Sequence, residues 1–343
     1  MPSLIQLVLV QYSPIIGDIS SNIQKVDSLL QDLKKDGSRI IILPEMSLTG
    51  YLFESIEEIT PFIEPTPPLK STLQDSDLVM SASIRWAHEN AIKLGSYVLI
   101  SFPEAVHGVA GLSDGIYNSS AIIDPQGMVE HIYRKHFLYE AEEHWALPGP
   151  GFSHLELANI GRVGVGICMD LNHNTKDDGS FSKCEFAKYH AEQQTNLIMV
   201  PMNWLKSWEV DDSLPSTMTL LYWITRLKPL IDSLKPGQRV FVAACNRIGT
   251  ERGTTFTGTS CILELSLSKS NQEESKLLDL IKETADIISR LSERNPDFSR
   301  KYDEMIAMAT QAFDLLDKVQ LIGSLSTSFE GLLECYVPLD QSS

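Results

Sequence analysis

Short apolar runs alternate with amphipathic helical segments through the first half of the chain, and this alternation constrains the fold more than any other feature. Residues 4–11 and 39–43 predict buried strands, and residues 20–35 between them carry apolar side chains at helical spacing. A second predicted helix, 81–94, precedes a third apolar strand, 97–102. Strands that alternate with helices build a sheet covered by helices, so the chain is predicted to be α/β.

The pattern changes after residue 267. From 269 to 321 the chain is polar and helical, with a break at Asn295-Pro296, and a further strand is predicted at 329–338. We interpret 269–321 as a helical pair inserted into one domain that spans 1–343. A regulatory or partner-binding role for the insertion stays open, because it carries no reactive residue constellation of its own.

Composition excludes several classes of function. Among 343 residues, 45 are acidic and 28 basic, which gives a formal net charge of −17. This balance disfavours nucleic acid and anionic membranes as partners, since both are bound through Lys and Arg. No apolar run is long enough to span a bilayer, and the first residues lack the basic segment and the apolar run of a signal peptide, so we expect none. The five cysteines form no metal-binding or redox spacing. We expect a reduced protein of the cytoplasm, with the nucleus as a second compartment, and no metal.

Three reactive side chains follow apolar strands. Glu45 comes after 39–43, Lys135 after the strand at 127–133, and Cys168 after the strand at 162–167. Taken singly, each has a structural explanation: a helix cap or ion pair, a solvated basic turn, and a small buried hydrophobe. In α/β proteins, however, strand ends present reactive groups to a shared crevice.

Together the three side chains suit nucleophilic catalysis. Glu45 can take the thiol proton of Cys168 and later activate water. Lys135 can stabilise the thiolate and the oxyanion of a tetrahedral intermediate, together with the backbone N–H of Met169. The sequence therefore predicts a cysteine hydrolase that needs no cofactor.

The motifs around these residues resemble the nitrilase, or carbon–nitrogen hydrolase, superfamily. The resemblance covers about residues 4–265 and resumes at 330–333, and it implies an αββα sandwich with a Glu45–Lys135–Cys168 triad. It also implies a second glutamate after the lysine, for which Glu143 is the candidate and Glu140 and Glu142 are competitors. The motifs are Leu43-Pro44-Glu45, Thr49-Gly50-Tyr51, Tyr133-Arg134-Lys135 and Gly166-Ile167-Cys168-Met169-Asp170.

Within that superfamily, the run from Cys168 to Asn172 and the later Pro201-Met202-Asn203-Trp204-Leu205 look most like the fungal protein N-terminal amidase branch. The resemblance implies deamidation of N-terminal Asn and Gln of proteins or peptides, with release of ammonia, in the N-degron pathway. Asp170 is then the first candidate for pairing with the substrate α-ammonium, with a structural role as acceptor of loop N–H groups as the alternative. Asn172 and Trp204 are candidates for lining the pocket.

Two other functions compete with this interpretation. A small-molecule ω-amidase or N-carbamoyl amidohydrolase would use the same triad, and a non-catalytic binding protein could keep the scaffold. The oligomeric state and the preference between Asn and Gln stay open at this point.

Overall fold

A computed structural model describes residues 3–71, 73, 74, 77, 79, 81–172, 183–206, 212–267, 276–292, 303, 307, 310–312 and 315–339. Two mixed β-sheets dominate these residues. The strands of the first sheet are β1 (Ser3–Gln11), β2 (Arg39–Ile42), β3 (Glu64–Pro65), β4 (Tyr97–Val106), β5 (Gly115–Ile123), β6 (Val129–Arg134) and β15 (Gly331–Leu339). Their order is β15-β1-β2-β4-β5-β6, with β3 paired to β4.

The second sheet has six strands. They are β7 (Ser153–Leu157), β8 (Gly161–Val165), β9 (Leu197–Met202), β10 (Arg239–Asn246), β13 (Cys261–Ser266) and β14 (Val319–Ser324). Their order is β14-β13-β10-β9-β8-β7. A small separate hairpin joins β11 (Thr250–Glu251) to β12 (Thr254–Thr255). In each large sheet the central strands run parallel, β1-β2-β4 in the first and β8-β9-β10 in the second. The short strand β3 is parallel to β4, and the other flanking strands pair antiparallel.

The alternation of side chains along the strands explains how the layers assemble. Leu7 and Leu9 of β1 lie in one apolar cluster with Met199 of β9, so this face of the first sheet packs on the second sheet. Val8 and Val10, of opposite parity, pack with the helices on the outer face. Because successive residues of a strand point to opposite faces, both parities must be apolar when both faces are covered.

Helices cover the outer faces of both sheets, which confirms the expected αββα sandwich. Helix Ala82–Leu94 ends at Gly95, whose φ of 61° is the left-handed C-cap that glycine adopts without a steric penalty. The longer helices are Ile19–Leu30, Ala82–Leu94, Glu185–Glu192, Thr217–Arg226 and Lys276–Ser292, and the shorter ones are Ile56–Ile59, Thr60–Phe62, Cys168–Leu171 and Lys228–Asp232. No helix in the described ranges has the length and apolar composition needed to cross a membrane.

The helical segment after β13 ends earlier than expected. Helix Lys276–Ser292 packs Leu277 and Leu280 into the core of the second sheet, and the hydroxyls of Thr217 and Thr284 bond at 2.7 Å. The predicted end of the second helix at residue 321 is wrong, because β14 already begins at Val319 and pairs with β13. The first residues of β14 alternate between buried and exposed, which is strand rather than helix periodicity. The extent of a single domain over 1–343 stays a prediction.

Candidate active site

Glu45 lies just beyond the end of β2, in the interior between the two sheets. Its side chain is fully buried. One carboxylate oxygen, Oε1, accepts hydrogen bonds from Lys135 Nζ at 2.7 Å and from Asn118 Nδ2 at 2.7 Å. The other, Oε2, has no donor within hydrogen-bond distance among the described residues. Burial, together with the nearby Glu142 carboxylate, outweighs the Lys135 ammonium and raises the pKa of Glu45 to about 7. A carboxylate of this kind can accept a proton near neutral pH.

Lys135 follows β6 and joins two carboxylates. Its Nζ donates to Glu45 at 2.7 Å and to Glu142 at 2.6 Å, with the ammonium fully buried. Burial disfavours the charged amine, but the two carboxylates outweigh that effect and raise the pKa of Lys135. The ring centroid of Tyr51 lies 5.7 Å from the same nitrogen. The ammonium is therefore a fixed positive charge at this site.

The second glutamate is Glu142, and the sequence-based choice of Glu143 placed it one residue too far along the chain. Glu142 is buried, and its Oε2 also accepts the backbone N–H of Tyr139 at 2.8 Å, whereas Glu143 is exposed. The turn explains the register, because Trp145 N–H donates to the carbonyl oxygen of Glu142 at 3.0 Å. Residues three apart in such a turn share a face, so Glu142 points inward with the buried Trp145. This spacing was the sequence signal that favoured Glu142.

Cys168 begins a 3-10 turn, Cys168–Leu171, at the end of the strand β8. Its φ of 42° lies in the left-handed region, a strained conformation for a residue with a side chain. The backbone N–H of Asn203 donates a hydrogen bond to its thiol. Burial, followed by the Glu45 carboxylate, raises the pKa of the Cys168 thiol well above its ordinary value, although Lys135 opposes the shift. The resting nucleophile is therefore a thiol, and a base must remove its proton during attack.

A cavity of about 170 Å³ opens at Cys168. Met169, Asn172 and Trp204, which are candidates from the sequence, line it. The hydroxyl of Tyr222 donates to Asn172 Oδ1, and the N–H of Trp204 donates to Asn246 Oδ1 at 2.8 Å. Among the described residues, the lining is Tyr51, Tyr139, Cys168, Met169, Asn172, Asn203, Trp204 and Leu205. None of these described lining residues carries a charge, and no cluster of His, Cys, Asp or Glu suited to a metal ion occurs in the described part of the chain.

Known proteins with similar sequences support what this geometry indicates. The carbon-nitrogen hydrolase family profile matches residues 7–175. Protein N-terminal amidase of Schizosaccharomyces pombe is 35% identical over 274 residues, which are 75% of this chain and 90% of the relative. The chain belongs to the carbon–nitrogen hydrolase family. It is therefore a hydrolase that acts on the carbon–nitrogen bonds of amides.

Two further relatives agree with this assignment. Protein N-terminal amidase of Saccharomyces cerevisiae is 27% identical over 61% of this chain and 46% of its own length. A crystal structure of an N-terminal amidase with a Gln-Gly peptide superposes on this carbon–nitrogen hydrolase with a TM-score of 0.70. That match covers 98% of both chains at 20% identity, so it supports the fold.

Asp170 in this carbon–nitrogen hydrolase occupies a structural position instead of the expected substrate-facing one. It is fully buried and absent from the cavity lining. Its Oδ1 accepts the backbone N–H groups of His136 and Phe137, at 3.0 and 2.8 Å. Its Oδ2 accepts from Tyr133 Oη and from the Ile167 N–H, both at 2.8 Å. The carboxylate thus connects the lysine loop (residues 135–137) to the cysteine turn (residues 167–171). Protein donors occupy all four of its acceptor positions.

Two asparagines at the site were missed by sequence reasoning. Asn118 in β5 donates through Nδ2 to both Glu45 and Glu142, and it is fully buried. An asparagine inside an apolar strand is unfavourable, and that was the available signal. Asn203 follows β9 and lines the cavity, and its Nδ2 donates to the carbonyl oxygen of Glu45 at 3.1 Å.

A buried ion pair holds the Tyr51 wall of the cavity. Glu251 Oε1 accepts the backbone N–H groups of Tyr51, at 2.9 Å, and of Leu52. Its Oε2 accepts from Arg247 Nη1 at 2.6 Å. Gly50, with a φ of 79°, lets the loop pass against Ile16, where a Cβ would lie 2.5 Å from a backbone atom. The stretch 246–249, which begins at the last residue of β10, therefore supports the site through Asn246 and Arg247.

Proposed function

We propose that this carbon–nitrogen hydrolase deamidates N-terminal Asn and Gln of proteins or peptides to Asp and Glu, releasing ammonia, as a step of the N-degron pathway. The observation that carries the proposal is the buried Glu45–Lys135 pair beside Cys168 at an open cavity. The 35% identical relative that bears the name protein N-terminal amidase supports the choice of substrate.

The first half of the reaction forms a thioester. Glu45 accepts the proton of the Cys168 thiol, and the sulfur attacks the carboxamide carbon of the substrate side chain. The Lys135 ammonium stabilises the resulting oxyanion together with the N–H of Met169, which lies in the first turn of a 3-10 helix, where backbone N–H groups lack intrahelical partners. Glu45 then returns its proton to the nitrogen, the carbon–nitrogen bond breaks, and ammonia leaves.

The second half releases the acid. Glu45 takes a proton from a water molecule, and the hydroxide attacks the thioester carbon. The carbon–sulfur bond breaks, the sulfur regains a proton, and the product carboxylate departs. A pKa of about 7 for Glu45 suits both halves, because the same group must give and take a proton at neutral pH.

Recognition of the free N-terminus involves neutral groups of the cavity in this proposal. Asp170 is fully engaged by the protein, so we assign contacts with the α-ammonium to the amide oxygen of Asn172 and the ring of Trp204. An ammonium is attracted by oxygen dipoles and by the face of an indole ring. Both side chains line the same cavity as Cys168.

Mass spectrometry of peptide deamidation tests the proposal. We expect the protein to convert peptides that begin with Asn or Gln, and to leave the N-acetylated peptides, glutamine and α-ketoglutaramate largely unchanged. Cys168→Ala should abolish ammonia release while circular dichroism stays unchanged. Cys335→Ala is the matched control, because Cys335 is also a free cysteine but lies on β15, and it should retain activity. Equal turnover of acetylated peptides or of the small amides would favour a small-molecule amidase instead.

The state of the cysteines supports a reducing compartment. All five cysteines are free, and Cys168 must stay reduced to act as nucleophile. We therefore propose the cytoplasm as the location, with the nucleus as a second compartment.

A further inference from the structure

Asn203 lies against the nucleophile. It follows the last residue of β9, its side chain is 2% exposed, and it lines the cavity beside Cys168. Its backbone N–H donates to the Cys168 thiol. Any substrate carbon attacked by this sulfur must therefore come close to Asn203.

The orientation of the Asn203 amide is fixed by its contact with Glu45. The carbonyl oxygen of Glu45 can only accept, so the amide atom 3.1 Å from it must be the nitrogen, Nδ2. A flipped amide would bring two oxygens together. The side-chain oxygen Oδ1 is consequently left over, and no donor among the described residues lies within hydrogen-bond distance of it.

The site thus holds three buried acceptors that lack a donor from the described residues, Asn203 Oδ1, Glu45 Oε2 and Asn118 Oδ1. Asn203 lines the cavity and its amide contacts Glu45, whereas Asn118 is absent from the described lining. Buried polar atoms without partners are rare in folded proteins, because each costs about 1–3 kcal/mol. The carboxamide nitrogen of a substrate carries two N–H donors. An ester, a nitrile and a carboxylate offer none at that position. Asn203 Oδ1 and Glu45 Oε2 can therefore take the two N–H groups of a primary amide.

We propose that Asn203 Oδ1 accepts one N–H of the substrate carboxamide while Glu45 Oε2 accepts the other, so that Asn203 selects primary amides. This inference rests on the proposed carboxamide hydrolysis. When the carbon–nitrogen bond breaks, its electron pair stays on nitrogen, Glu45 supplies the third proton, and Asn203 holds the departing ammonia. After hydrolysis, a carboxylate oxygen takes the place of the nitrogen and faces Oδ1 without a hydrogen, which favours release of the product.

Pairs of amide and ester substrates test the role of Asn203. The first pair is an N-terminal Asn peptide and the same peptide with the β-methyl ester of Asp. For the isosteric variant Asn203→Leu, we expect kcat/KM for the amide to fall about 10- to 100-fold more than kcat/KM for the ester, because only the amide loses a hydrogen bond. Equal losses on both substrates would overturn the proposal and leave Asn203 with only the structural task of holding the Glu45 carbonyl.

The matched control is Asn172→Leu, which removes an asparagine of the same cavity whose oxygen is already bonded to Tyr222. It should lower both rates without changing the ratio of amide to ester. If Asn203→Leu does not fold, the dissociation constants of both peptides are measured with the inactive variant Cys168→Ala. The amide peptide should bind at least about tenfold tighter than the ester peptide. Equal affinities would contradict the proposal.

A second substrate pair separates this inference from the proposed function. Succinamate and monomethyl succinate have the same reacting groups without an α-ammonium. Turnover of this pair alone would contradict peptide deamidation, and the amide-to-ester ratio of Asn203→Leu would still report on the role of Oδ1.

Discussion

The buried cluster of Glu45, Lys135 and Glu142 makes the pH dependence of the enzyme adjustable by one substitution. Glu45 must be ionised to accept the thiol proton, and its pKa is raised to about 7, so kcat/KM of the wild type should rise with pH through a midpoint near 7. Glu142→Gln removes a negative charge beside Glu45 and keeps the shape of the side chain. Since a like charge raises the pKa of a carboxyl group, its removal should move the midpoint to lower pH.

The size of the shift follows from the geometry. Both carboxylates lie within 2.7 Å of the same Lys135 nitrogen, so their bonded oxygens are no more than about 5 Å apart. At an effective dielectric constant of about 20, two unit charges at that distance repel by about 3 kcal/mol, or about two pKa units. We expect a fall in the Glu45 pKa of about one unit, because rearrangement of the buried cluster after Glu142→Gln offsets part of the lost repulsion. At pH 6, ionised Glu45 would rise from about a tenth to about half of the enzyme.

The assay is kcat/KM for ammonia release from an Asn-starting peptide between about pH 5 and 9, with each profile normalised to its own plateau. The plateau of Glu142→Gln should fall, since Lys135 loses a charged partner. Glu143→Gln is the matched control because its carboxylate is exposed one residue away, and its profile should coincide with the wild type. An acid limb that stays in place or moves to higher pH in Glu142→Gln would refute the argument.

Two further substitutions test the support of the cysteine turn. Gly166→Ala places a Cβ 2.5 Å from the Phe186 ring and should lower the free energy of unfolding by about 1–3 kcal/mol in urea titrations. Gly37→Ala, whose Cβ would have no neighbour closer than 4.0 Å, should change it little, and equal stability of the two variants would contradict the packing argument. Asp170→Asn turns an amide N–H toward protein donors and should destabilise by about 2–3 kcal/mol. If it instead raised KM selectively for substrates with a free N-terminus, Asp170 would be a recognition residue after all.

The parts of the site that sequence predicted are those governed by strand ends. Glu45, Lys135 and Cys168 each follow an apolar strand, and a covered sheet brings such ends together, so their proximity was accessible from pattern alone. Which glutamate points toward Lys135 depends on the conformation of the turn 139–146. The sequence has three glutamates within four residues there, so it did not single out Glu142. Asp170 is close to the nucleophile in sequence. The backbone N–H groups that bond to its carboxylate, however, belong to His136 and Phe137, more than thirty positions away. Long-range partners of this kind leave no local signature.

The C-terminal end of the helical insertion was predicted wrongly for a related reason. Val319 and Leu321 lie in a polar region that favours helix locally, and only pairing with β13 makes them a strand. Asn203 was visible as part of a motif, but its unpaired oxygen depends on the contact between its amide nitrogen and Glu45, 158 residues away.

The pairing of β1 with β15 has a consequence for how the protein is made. β1 is hydrogen-bonded along its whole length to a strand formed by residues 331–339, although it leaves the ribosome before all the other described strands. Until those residues are synthesised, one edge of β1 stays open beside an apolar surface, and Gln11 lacks the carbonyl oxygens of Ser326 and Phe329 that its amide binds. We therefore expect the nascent chain to expose an unpaired strand edge for most of translation, and such edges favour aggregation until a partner strand covers them.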